Sequence, residues 1–170
     1  IDKTDSFCPT ILRFSTVYGL SPRMRFDLTI NEFCKDSYFK KELLVYGENF
    51  WRPYCHVDDF GKAFNTVLNN SKNKVAYEVF NVGDKDQNFT KLMIVEQIKK
   101  IIPDLRVNFV KVNEDPRDYR VNFDKIEKTL GFKISKDVPM GINEIINYVS
   151  NYKEVFFDNK NFYNIPKKNG

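Results

Sequence analysis

The first group that could do chemistry is Arg52, set in Trp51-Arg52-Pro53-Tyr54. Pro53 fixes the backbone beside it and aromatic rings flank it, so the guanidinium becomes a rigid fork of donors suited to a phosphate or diphosphate. Tyr46, at the end of a short apolar run, offers a flat face for a nucleobase. Arg52 has a plainer alternative, a surface cation that covers aromatic packing. A second cationic group, Arg23 and Arg25, precedes a helix predicted from about Leu28 to Phe39, with Asp27 placed to cap it. Free backbone N–H groups at such a start form an anion site; the alternative is a cap among solvated arginines. A third group, Arg117 and Arg120, stands among acids in the loop 113–120, where a salt-bridged surface loop is the competing reading.

Other chemistries find too few residues. His56 is the single histidine, so neither a histidine metal site nor a catalytic triad can be assembled around it, and it reads as structural. Cys8, Cys34 and Cys55 show neither metal-ligand nor CxxC spacing, which points to free thiols in a reducing, cytoplasmic setting. Asp58 and Asp59 open a helix and read as charges on its dipole before they read as an acid/base pair.

These residues need elements to hold them. Thr10 to Val17 predicts a largely buried strand, closed by Tyr18-Gly19-Leu20-Ser21-Pro22. Glu42 to Tyr46 and Trp51 to Val57 predict two more strands. The helix opened by Asp58 carries Phe60, Ala63, Phe64, Val67 and Leu68 at the spacing of one buried stripe. Val75 to Val82 predicts a strand. Asn88 is placed to cap a helix with the stripe Ile94, Val95, Ile98, Ile101 and Ile102, stopped by Pro103. Arg106 to Val112 fits a strand, and Asp124 to Leu130 a short helix ended by Gly131. Pro139 to Val149 predicts a helix with the stripe Ile142, Ile145, Ile146 and Val149. The last twenty residues are expected to wrap the surface or a partner.

A chain of 170 residues with 42% hydrophobic and 29% charged residues predicts one compact soluble unit over 1–170. The net charge of +4 is spread rather than gathered into a stripe, so nucleic acid is not an expected partner. No apolar run of about 18 residues predicts a membrane span, and no signal peptide is read at the start.

Three ordered blocks carry a resemblance. Ile11-Leu12-Arg13-Phe14-Ser15-Thr16-Val17-Tyr18-Gly19 is the first. Val45-Tyr46-Gly47, Arg52-Pro53-Tyr54 and His56-Val57-Asp58-Asp59 form the second. Asp115-Pro116-Arg117-Asp118-Tyr119-Arg120-Val121, with Asp124-Lys125-Ile126 and Leu130-Gly131-Phe132, is the third. Together they resemble the NAD-dependent epimerase/dehydratase family, the extended short-chain dehydrogenase/reductases that act on nucleotide sugars.

The resemblance implies an α/β fold: the C-terminal part of a Rossmann domain plus a small α/β substrate-binding domain. It implies that Ser15, Thr16, Val17 and Tyr18 lie against the nicotinamide of NAD. It places the nucleotide-diphosphate sugar on Arg25, Asp27 and Leu28 at the helix start, on Tyr46, Arg52 and Tyr54, and on whichever of Arg117 and Arg120 meets the phosphates or ribose. Many members have Asn where Thr16 stands, and a hydroxyl is the less versatile group.

The family's catalysis also needs a Gly-rich turn for the dinucleotide and a Tyr-x-x-x-Lys pair on one helical turn. Neither is found, because Tyr163 to Lys167 has Pro166 inside it. The expectation is therefore a C-terminal portion of an epimerase or dehydratase, inactive and without tight NAD binding by itself. A strand of the central sheet near its start would need neighbours, so self-association, or a homodimer of the parent, is expected. The alternative is a non-catalytic nucleotide-binding module, or a subunit that docks to a separate Rossmann partner.

Overall fold

The computed structural model describes residues 7–112 and 118–164. The chain runs β1 (Ile11–Phe14), β2 (Thr16–Tyr18), α1 (Thr29–Lys40), β3 (Glu42–Tyr46), β4 (Trp51–His56), α2 (Val57–Leu68), α3 (Lys72–Val75) and β5 (Val79–Val82). It continues through β6 (Asn88–Thr90), α4 (Lys91–Ile101), β7 (Arg106–Val110), α5 (Asp124–Leu130) and α6 (Val138–Val149), with 3-10 turns at Lys85–Gln87, Glu154–Asp158 and Lys160–Phe162. β1 pairs with β5 in parallel and β3 pairs with β7 in parallel. Between them β4 takes β2 in parallel on one side and β6 antiparallel on the other. This is the mixed α/β class that the resemblance implies.

The strand expected from Thr10 to Val17 is two strands. Ser15 breaks it, because its backbone N–H and its hydroxyl both donate to the Val82 carbonyl, at 3.2 and 2.8 Å. Beyond that point the chain leaves β5 and continues beside β4, with Thr16 opposite Tyr54 and Tyr18 opposite His56.

Two helix caps differ from expectation. Asp27 does not cap α1; Leu28 occupies the cap position with no side-chain bond, because Asp27 is engaged by Arg25. Asn88 does not cap α4 either. Thr90 does, accepting from the Met93 N–H at 3.2 Å, while the Asn88 amide donates to the carbonyls of Lys85 and Val121. The predicted strand start at Val75 also moves. Lys72–Val75 forms a turn of helix, and Tyr77, at φ 62°, resets the backbone before β5.

Two apolar cores hold the elements. The larger joins Ile30, Phe33 and Cys34 of α1, Leu43 and Val45 of β3, Ile94, Val95 and Ile98 of α4, and Ile142, Ile145, Ile146 and Val149 of α6. The stripes expected on α4 and α6 thus meet each other and α1 in one core. The smaller gathers Ala63, Phe80, Val82, Phe123, Ile126 and Phe132. On α2 the expected buried stripe is buried only in part: Ala63 is buried and Phe60 and Val67 are half-buried, but Phe64 is 52% and Leu68 79% exposed. Phe14 of β1 packs on Phe60 and Phe64, at 4.1 and 5.3 Å between ring centroids, and the end of the stripe at Leu68 is left open. The C-terminal turns fold back on α1, with Phe157 buried against Phe26 and the Phe26 N–H donating to the Phe162 carbonyl. Among the described residues no helix is long and apolar enough to cross a membrane, and no cluster of His, Cys, Asp or Glu could hold a metal.

Candidate nucleotide site

β4 is the axis of the site because it lies between two other strands and so has its backbone fixed on both edges. Arg52 stands opposite Phe89 of β6 and is half-buried; its Nη1 donates to the Trp51 carbonyl at 2.8 Å. The segment 118–122 is laid along this sheet by a short ladder. The Trp51 N–H donates to Asp118 Oδ1 at 2.7 Å, the Tyr119 N–H to the Trp51 carbonyl at 3.3 Å, and the Val121 N–H to Asn88 Oδ1 at 2.9 Å.

That ladder crosses two cation–aromatic pairs. The Arg52 guanidinium lies 5.8 Å from the Tyr119 ring, and the Arg120 guanidinium 4.9 Å from the Trp51 ring. Each arginine of one Trp-Arg or Tyr-Arg dipeptide uses the aromatic of the other. The stacking orients two planar forks, and because Trp51 and Arg52 are successive residues of β4 the two pairs lie on opposite faces of that strand. Among the described residues no carboxylate lies within ion-pair distance of Arg120, which lines a cavity of about 570 Å³ together with Trp51, Lys85 and Asn88.

Tyr54 ties this surface to the start of α1. Its ring is buried, and burial pushes the phenol up to about 12, against the opposing pull of a hydrogen bond with Thr29 and the charge of Arg52. One hydroxyl therefore has the first residue of α1 and the arginine as neighbours. Thr29 in turn lines a cavity of about 340 Å³ with Glu32, Leu44, Tyr46 and Lys91. Tyr46 is 51% exposed there, and its carbonyl accepts from Lys91 Nζ at 2.6 Å. Tyr54 thus links Arg52 to the start of α1, beside the cavity that Thr29 and Tyr46 line, while Arg120 lines a separate cavity with Trp51. Arg117 lies outside the described residues.

Arg25 and Asp27 form a different arrangement. Arg25 Nε and Nη2 donate to the two Asp27 carboxylate oxygens at 3.0 and 2.8 Å, and the Asn164 N–H donates to Asp27 Oδ2 at 3.0 Å. The guanidinium, ahead of the opposing effect of burial, holds the Asp27 carboxyl down to about 2. This pair clasps the C-terminal segment, and two of the Arg25 donors are used inside it.

Of the four residues expected at the cofactor, Ser15 is buried and its hydroxyl is committed to Val82. Tyr18 is buried with its ring edge-on to His56 at 5.3 Å, and desolvation raises its phenol far above the usual range. Thr16 and Val17 stay half-exposed beside β4, so the cofactor-side and phosphate-side residues share one sheet.

His56 is the scaffold residue that the sequence suggests. Its Nδ1 accepts from the Asp58 N–H at 3.2 Å, which leaves the ring proton on Nε2 to donate to Glu144 Oε2 at 2.9 Å. Lys136 Nζ bridges Asp58 and Glu144 at 2.7 Å each, and this bridge pulls the Asp58 carboxyl down. Asp59 is fully buried and accepts from the backbone and hydroxyl of Ser135, both at 2.7 Å. The two aspartates anchor the segment before α6. Residue-by-residue reading missed Tyr119 and Lys91 as site residues, and Trp51 as the platform for Arg120. The signal for the first and last was present, as two aromatic-arginine dipeptides, but their crossing depends on the ladder from Asp118 and Asn88.

The sequence model of the NAD dependent epimerase/dehydratase family matches residues 1–83. Among solved structures, the UDP-glucuronic acid 4-epimerase of Bacillus cereus, in complex with UDP-glucuronic acid and NAD, is 25% identical with a TM-score of 0.70, over 84% of this chain and 45% of that one. An NAD dependent NDP-hexosamine 5,6-dehydratase of tunicamycin biosynthesis is 18% identical with a TM-score of 0.71, over 86% and 46%. The dTDP-glucose 4,6-dehydratase of Bacillus anthracis, in complex with NAD, is 22% identical with a TM-score of 0.67, over 89% and 45%. The chain therefore spans less than half the length of the structures it matches. Residues 1–83 thus match the sequence model of the NAD-dependent epimerase/dehydratase family, and the α/β architecture of the chain is similar to that of nucleotide-sugar epimerases and dehydratases over about 45% of their length.

Proposed function

We propose that this chain is the nucleotide-sugar-holding, C-terminal portion of an NAD-dependent epimerase or dehydratase, and that it has no turnover by itself. The Arg52–Tyr119 pair, beside Tyr54 and the start of α1, carries the reading. Arg52, on the same face of β4 as Tyr54, and the start of α1, which Tyr54 meets through Thr29, supply donors that suit a diphosphate. Tyr46 presents its face to the base. Thr16 and Val17 would form one wall for the nicotinamide, and one wall cannot supply the pyrophosphate contacts that tight NAD binding requires. No turnover is expected because Tyr163 is held by Lys35 Nζ at 3.1 Å and Pro166 interrupts its spacing to Lys167, so no helical tyrosine–lysine pair serves as proton carrier.

The test is titration of the chain, followed by NMR, with UDP and with uridine, alongside an assay with UDP-sugars and NAD. Binding should depend on the diphosphate, and no product should form. Equal binding of uridine, or product formation that survives Tyr163→Phe, contradicts the proposal.

A second reading, a non-catalytic module that docks to a separate Rossmann partner, draws on one observation. β1 has β5 on one edge only among the described residues, and Ile11, Phe64 and Leu68 are exposed around it.

A further inference from the structure

We propose that the Tyr46 cavity selects guanine, with Glu32 as the residue that sets the choice; this rests on the nucleotide-site reading above. Glu32 stands one turn into α1, on the wall of the roughly 340 Å³ cavity that Tyr46 also lines. Its neighbour Asp36 is occupied by Lys35 and Lys40, each at 3.1 Å. Glu32 has no ion pair or side-chain hydrogen bond among the described residues. The cavity thus offers a stacking face and a carboxylate whose two oxygens only accept.

The bases differ in what they present to such a group. Guanine places two donors side by side, N1–H and N2–H, which match a carboxylate in bidentate geometry. Uracil and thymine place a single N–H between two carbonyl oxygens, so at least one oxygen would face the carboxylate in repulsion. Adenine and cytosine set one amino donor beside a ring-nitrogen acceptor, which leaves a second oxygen unmatched. Lys91 Nζ, at the Tyr46 carbonyl, adds a cation near the cavity that suits the guanine O6. A substrate of this class is a guanosine-diphosphate sugar.

The experiment is NMR titration of the whole chain with GDP, UDP, dTDP and ADP, repeated on Glu32→Gln. GDP should bind at least about tenfold more tightly than the others, and the substitution should remove that preference. Glu32 is exposed, so the variant is expected to fold, which circular dichroism checks. Equal binding of all four diphosphates overturns guanine selection and leaves the phosphate reading standing. A preference that persists in Glu32→Gln overturns the role of Glu32. Failure of every diphosphate to bind overturns both readings.

Discussion

At the scale of single residues, the arginines divide by what meets them. Arg25 has two of its donors on Asp27, while Arg52 and Arg120 each lie against an aromatic ring. The difference has a consequence for pH. A carboxyl held near 2 in the folded chain and near 4 when unfolded stabilises the fold above about pH 4, and that contribution disappears as pH falls through 2. Because Arg25 is partly exposed, the gain is on the order of 1 to 2 kcal/mol. Denaturant unfolding of the wild type and Asp27→Asn should differ by that amount at pH 6 and converge near pH 2. A gap of the same size at both values would show that the pair is not its source.

At the scale of elements, burial separates two helices with equally regular patterns. Ile145 of α6 is fully buried, whereas Leu68 of α2 is 79% exposed. Ile145→Ala should therefore cost about 2 to 5 kcal/mol in denaturant unfolding, and Leu68→Ala within about 0.5. Comparable losses would mean that the α2 face is covered in solution. The sequence pattern made both helices legible, because periodicity depends on local spacing alone. It did not reveal how much of each stripe has something to pack against, since that depends on elements far along the chain. The caps show the same division. Asp27 and Asn88, the expected caps, are drawn off by distant partners, while α6 is capped by Asp137, which the sequence reading did not single out and which accepts from the Met140 N–H at 2.8 Å. The site was legible to a similar extent. Arg52 and Tyr46 announced themselves by flanking residues, whereas Tyr119 joined the site only through the Asp118–Trp51 bond.

For the whole molecule, the account stands on what the surface beside β4 and the start of α1 holds. If a nucleoside diphosphate lies there, its phosphates meet the guanidinium of Arg52. The most direct test is the dissociation constant of GDP and UDP for Arg52→Ala and Arg52→Lys against the wild type, by NMR titration with the fold checked by circular dichroism. Removing a charge-assisted contact is worth about 1.5 to 3 kcal/mol, so Arg52→Ala should lose roughly ten- to a hundredfold in affinity. Arg52→Lys should recover only part of it, because a point charge cannot make the two-pronged contact. Unchanged affinity in a folded Arg52→Ala would contradict the account and return Arg52 to the role of a cation covering Tyr119.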